Sequence, residues 1–207
     1  MLWIRFLVIC VVTVSSLTLF ELADPPILVS EIFWWATAAL LITYVVVIEG
    51  KQLASLGIEK PSTSTITTAA VGFGLALCGV AAFGIITSFI GLETNSTEER
   101  LDQTASAPIW WLIIVFLRAG VVEELFFRGF VISRSIELGA PPVLAVVGAT
   151  ALFVLPHAFF WPGPSLILIT LTGLAMGAIF IWKRDLLACV LAHIGVNVGG
   201  VIATMLN

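Results

Sequence analysis

Apolar runs of about twenty residues, each long enough to cross a hydrocarbon core about 30 Å thick, alternate along this chain with short polar breaks. The runs cover residues 2–20, 27–48, 65–90, 108–131, 143–160, 165–182 and 186–205. Seven spans, or six to eight where run ends are ambiguous, predict an all-α polytopic transmembrane helical bundle. The breaks carry the expected punctuation: Pro25-Pro26, then Gly57 and Pro61, then Pro141-Pro142. In the tight turn Lys183-Arg184-Asp185, Asp185 is placed to N-cap the last helix. The longest break, residues 93–107, reads as a polar connector, and its Asn95-Ser96-Thr97 is a glycosylation sequon that matters only in a secretory-pathway host. Arg5 ahead of the first run resembles the start of a signal peptide, but Phe20 to Asp24 offers no small-x-small cleavage site, so that run reads as a retained anchor.

Small residues mark two of the runs. Gly72, Gly74, Ala76, Gly79, Ala81, Ala82 and Gly84 in the third, and Gly173, Ala175, Gly177 and Ala178 in the sixth, let helix backbones approach closely. The third run is therefore expected inside the bundle rather than ringed by lipid. The chain divides into residues 1–107, three spans with their loops, and residues 108–207, a core of four spans.

Composition agrees with the pattern. Of 207 residues 60% are hydrophobic and only 11% charged, with a mean hydropathy of +1.15. Soluble domains run about 45–50% apolar and about 25% charged, so the chain is integral to a membrane, with no room for a separate soluble domain. A net charge of −4 without a basic tract excludes nucleic acid as a partner. The three cysteines, Cys10, Cys78 and Cys189, stand alone in apolar runs and read as small buried side chains. Threading seven spans places Arg5, Lys51, Lys60, Arg128, Arg134, Lys183 and Arg184 at or near one side and Arg100 on the other. By the positive-inside rule the first side, with the amino terminus, is cytoplasmic, and the plasma membrane is the expected location.

Against this apolar background a few ionisable groups stand out: Arg118, Glu123, Glu124 and Arg128 in the fourth span, His157 in the fifth and His193 in the seventh. Such groups are expensive at membrane depth and are functional candidates by default. Glu124 and Arg128, four apart, share a helix face and can pair. Glu123 points about 100° away from Glu124 and is left free for another task. His193 and Asn197 are also one turn apart, and Pro156 just before His157 can kink its helix and aim the ring inward. At 1.5 Å per residue Glu123 lies about 12 Å from the residue-131 end of its span, and His193 about 12 Å from Asp185. His157 fits less well, about 21 Å in from residue 143. The groups are expected to converge on a wet cavity opening toward the basic, cytoplasmic side.

Carboxylate, imidazole and amide together suit hydrolysis of a peptide bond, which needs an activated water and donors for the developing oxyanion. A partly desolvated Glu123 is a competent general base, His157 can share the water, and His193 with Asn197 can donate to the oxyanion. No serine or cysteine stands in a nucleophile motif and there is no H-E-x-x-H. A divalent metal such as zinc stays open as a cofactor, because two histidines and a carboxylate can make an open three-ligand site.

The pattern Glu123-Glu124-x-x-x-Arg128, Phe153-x-x-x-His157 and His193-x-x-x-Asn197, complete and in order, resembles the CPBP family (CAAX protease and bacteriocin-processing, also called Abi), which includes the type II CAAX prenyl endopeptidases. The resemblance covers residues 109–201. It implies an intramembrane endopeptidase acting on a membrane-associated or prenylated protein or peptide. In that reading Glu123 is the water-activating base, His157 its partner, His193 and Asn197 the oxyanion pair, and Glu124 with Arg128 the frame of the site. The family carries a metalloprotease label, and a metal-free glutamate mechanism fits the same residues. Arg118 lies outside the pattern. The competing readings are a non-catalytic scaffold or bacteriocin immunity factor that keeps the core for packing, and a proton-coupled transporter, disfavoured by the few polar groups on the other spans. The expected partners are a protein or peptide substrate and the bilayer itself; oligomeric state is left open.

Overall fold

The first two helices are a hairpin: α1 (Leu2–Leu22) ends before Asp24, whose φ of 49° and the two prolines behind it turn the chain into α2 (Ile27–Ile48). The computed structural model describes residues 2–206, and among them there is no strand. A connector with one 3-10 turn, Leu53–Leu56, leads to α3 (Thr63–Ile90), whose N-terminus is closed by a capping box between Ser62 and Thr65. Its C-terminus is closed by Gly91 at φ 65°, with Leu92 N–H donating to the Thr87 carbonyl.

Residues 93–107 are not the plain connector their polarity suggests. They hold α4 (Asn95–Ala105), a helix too polar to enter the bilayer, which meets α5 (Ile109–Glu137) at 111° across Pro108. α4 therefore lies crosswise over one end of the bundle, against the last two helices. The Thr97 and Ser165 hydroxyls meet at 2.9 Å, and Arg100 stacks over Trp161. The remaining helices are α6 (Pro142–His157), α7 (Gly163–Lys183) and α8 (Leu186–Met205). Asp185 caps α8 as the sequence indicates, accepting from Ala188 N–H at 3.0 Å.

Seven of the eight helices correspond to the seven apolar runs. Five are long and apolar enough to cross a membrane on their own. The other two are α5, whose ionisable residues dilute its hydropathy, and α6, which at 16 residues is about 24 Å long. The expectation for α3 holds only in part. Gly72 and Gly79 do bring it against Ala192 of α8 and Leu171 of α7, but nothing lies within 4 Å of where side chains at Gly74 and Gly84 would start, and most of the helix faces lipid. One stripe, Thr65, Thr68, Ala69, Gly72 and Ala76, is enough to dock it.

α2 and α5 run side by side in the same direction. Three ion pairs fix the register: Glu31 with Arg118 toward the α4 end, and Glu49 with Arg134 and Lys51 with Glu137 at the other, all offset by 85 to 87 residues. The second end is also the closed one. Residues 124–135 are all buried, packed with Leu56, Val45 and Phe180. Arg134 reaches Glu49, Ser55 and Glu137, and Arg184 donates to Ser133 at 2.9 Å. Burial pulls the pKa of Arg184 below the ordinary arginine value, against the pull of Glu137. These are the basic residues that the sequence groups on one side, so the basic end of the bundle is a sealed plug.

Candidate active site

α5 is not a regular α-helix. Two segments, Ala119–Glu123 and Leu125–Ile132, are π-helical, a form that concentrates at functional sites. Gly120 opens the way for α8: a Cβ there would stand 2.5 Å from Cγ1 of Ile194. That close approach carries His193, the neighbour of Ile194, up to α5.

At the meeting point Glu124 is fully buried. Its Oε1 accepts from Arg128 Nη1 at 2.7 Å and from His193 Nδ1 at 2.8 Å. Arg128 also donates through Nη2 to the Gly173 carbonyl of α7 at 3.0 Å. One carboxylate thus ties α5 to α8 and, through its arginine, to α7. A charge this deep is tolerable only when paired and hydrogen-bonded; Oε1 meets both conditions, while Oε2 is buried with no hydrogen-bond partner among the described residues.

His157 is the last residue of α6, and its Nδ1 donates to its own helix's Phe153 carbonyl at 2.6 Å. Pro156 does not kink a continuing span; the helix stops one residue later. α6 starts at the sealed end and delivers His157 toward the other. A carbonyl can only accept and a carboxylate does accept, so both imidazoles carry a proton on Nδ1 and present Nε2 to the site. Phe153 is the hub. Its ring centroid lies 4.6 Å from that of His157 and 6.4 Å from that of His193, and the Arg128 guanidinium carbon sits 4.9 Å from it.

Glu123 faces elsewhere, as one residue of helical rotation requires. It borders a cavity of about 10 Å³ whose other walls are Thr13 and Leu17 of α1, Trp34, Thr37, Ala38 and Leu41 of α2, and Val122, Phe126 and Phe127 of α5. Asn197 lies half-buried one turn beyond His193, with no hydrogen bond among the described residues. The structure therefore gathers Glu124, Arg128, His193 and His157 round one ring. Glu123 it places on the adjacent face of α5, within electrostatic reach of His193.

Two expectations change. The cluster does not open toward the basic end, which residues 124–135 fill; partial exposure at Glu123, His157, His193 and Asn197 lies on the side toward α4. The divalent metal such as zinc meets a donor set that does not fit: among the described residues no three His, Cys, Asp or Glu side chains converge to hold an ion. His193 is turned onto Glu124, and His157 is tied to Phe153.

Sequence reasoning also passes over Glu31, an ionisable residue inside the second run that is buried in the structure and paired with Arg118 at 2.9 Å. The same rule that flagged Arg118 would have found it. Phe153 is marked in the sequence as the start of the Phe153-x-x-x-His157 motif, though its place between the two imidazoles is not; the Gly173 carbonyl carries no signal, since Gly173 reads as one of many small residues.

A protein-family model described as type II CAAX prenyl endopeptidase Rce1-like matches residues 105–199. That stretch takes in the end of α4, all of α5 to α7 and most of α8, and with them every residue of the cluster. No curated protein and no solved structure matches the chain.

Proposed function

We propose that residues 105–199, which match the Rce1-like family model, form an intramembrane protease domain of that kind, and that the chain hydrolyses a peptide bond of a membrane-anchored protein or peptide with a glutamate-activated water. The observation that supports the reading is the gathering of Glu124, Arg128, His157 and His193 from three helices round Phe153, with Glu123 on the adjacent face of α5.

In the mechanism Glu123 takes a proton from water as the oxygen attacks the scissile carbonyl. His157 Nε2 accepts the water's other hydrogen and holds it in line. Charge grows on the carbonyl oxygen, where His193 Nε2, when it carries a proton, and the Asn197 amide donate. Collapse breaks the C–N bond, and the proton held by Glu123 passes to the leaving amine. Glu124 and Arg128 do no chemistry; they fix the orientation of His193, as a buried carboxylate does for the histidine of a hydrolytic triad. A lipid anchor on the substrate would stay among the helices while the peptide reaches the half-exposed rim.

Replacing Glu123 by Gln tests this directly. Cleavage is expected to vanish while expression and folding persist, and the inactive protein should hold substrates for identification by mass spectrometry. Retained cleavage, or an unchanged phenotype beside loss from loop substitutions, would instead support a non-catalytic scaffold or immunity factor. Because the donor set does not close round an ion, incubation with a chelator is expected to leave the rate within about twofold, since each factor of ten needs 1.4 kcal/mol of transition-state stabilisation. Loss restored by zinc would overturn the metal-free route.

A further inference from the structure

Arg118 is the one ionisable residue of α5 above the site that the mechanism leaves unused. Its Nε donates to Glu31 Oε1 at 2.9 Å, and its guanidinium carbon lies 4.5 Å from the Trp34 ring centroid. Trp34 in turn donates its indole N–H to Glu21 Oε1 at 2.6 Å, and the Ser30 hydroxyl donates to the same oxygen. Trp34 is thus held by α1 through its edge and by α5 through its face. It is also a wall of the cavity beside Glu123.

The π-helical segment explains how both residues come to face α2. Arg118 and Glu123 are five apart, which in a continuous α-helix turns their side chains about 140° from one another. The i→i+5 bonding of Ala119–Glu123 brings residues five apart back to about one turn. Glu31, Trp34, Ala38 and Leu41 recur at three- and four-residue spacing along α2, so one stripe meets Arg118 at its top and Glu123 lower down.

We infer that Arg118, through Glu31 and Trp34, is a positioning residue that clamps α2 over Glu123 and so sets the orientation of the proposed base. The inference rests on the reading of Glu123 given above and extends the functional unit to α1 and α2, outside the matched residues 105–199.

The test uses the full chain in proteoliposomes with a lipidated peptide reporter. Arg118→Gln should lower kcat about 10- to 100-fold with KM little changed, the loss expected when a reacting group is misplaced by about 1 Å. Arg118→Lys should recover most of the rate, and the reversed pair Glu31→Arg with Arg118→Glu should exceed either single variant. An activity-independent reading comes from a hydrophobic carbodiimide, with modification of Glu123 followed by mass spectrometry. Labelling should speed up in Arg118→Gln and return to the wild-type rate in Arg118→Lys. If Arg118→Gln does not fold, Trp34→Phe, which removes the indole N–H held by Glu21 and shrinks the ring under Arg118, should show the same kcat loss. Unchanged kcat and labelling in a folded Arg118→Gln, or equal losses in Arg118→Lys, would overturn the positioning role. A wild type that leaves the reporter intact while labelling still responds to Arg118→Gln would overturn the endopeptidase reading and keep the clamp.

Discussion

Which of two adjacent glutamates meets the histidine is decided by a single residue of helix rotation. The i,i+4 pairing of Glu124 with Arg128 was legible in the sequence, because helical spacing alone dictates it. The contact between Glu124 and His193 was not, since it crosses 69 residues and depends on how α5 and α8 are turned about their own axes. Arg128→Met should be among the most destabilising changes in the molecule. It strands a buried carboxylate and an unpaired Gly173 carbonyl, a loss of about 3–5 kcal/mol, readable as a lower midpoint in detergent unfolding. Arg128→Lys keeps the charge but cannot reach both partners, and should fall between the two.

At the scale of elements, hydropathy delivered all seven apolar helices, because a bilayer demands long uninterrupted runs and the chain supplies them. It missed α4, whose amphipathic residues look like a connector until Thr97 and Ala105 are seen packed down. It could not show the π-helical segments of α5 either, since those reflect the fit of neighbouring helices rather than local propensity. The Gly120 approach makes this testable. Gly120→Ala should force Ile194 aside, at about 1–3 kcal/mol of overpacking strain, and should lower activity by displacing His193. Combining it with Ile194→Ala should return most of both, a coupling that a double-mutant cycle measures.

Across the whole molecule the two ends are unlike. One is a lattice of Arg134, Glu49, Lys51, Glu137, Arg184 and Ser133 over an apolar plug; the other is roofed by α4 and half-exposed. The sequence placed the basic residues together correctly but inferred from them that the site opens there. Charge marks the side that stays with the cytoplasm, whereas access depends on which end the side chains fill. An impermeant thiol reagent applied to intact cells should therefore label a cysteine placed at Glu98 on α4, and reach one placed at Lys183 only after permeabilisation. The reverse result would put the amino terminus outside and turn the half-exposed rim toward the cytoplasm.

The parallel register of α2 and α5 also bears on how the chain is made. Glu31 enters the bilayer 87 residues before Arg118 exists to neutralise it, and Glu49 and Lys51 wait almost as long for Arg134 and Glu137. During synthesis the first hairpin is a lone carboxylate-bearing pair, held together by Glu21 with Ser30 and Trp34 and by the stacking of Phe20 on Phe33. Insertion of the fifth helix is the event that recruits it, so the late-made half acts as the template on which the early-made half finds its place.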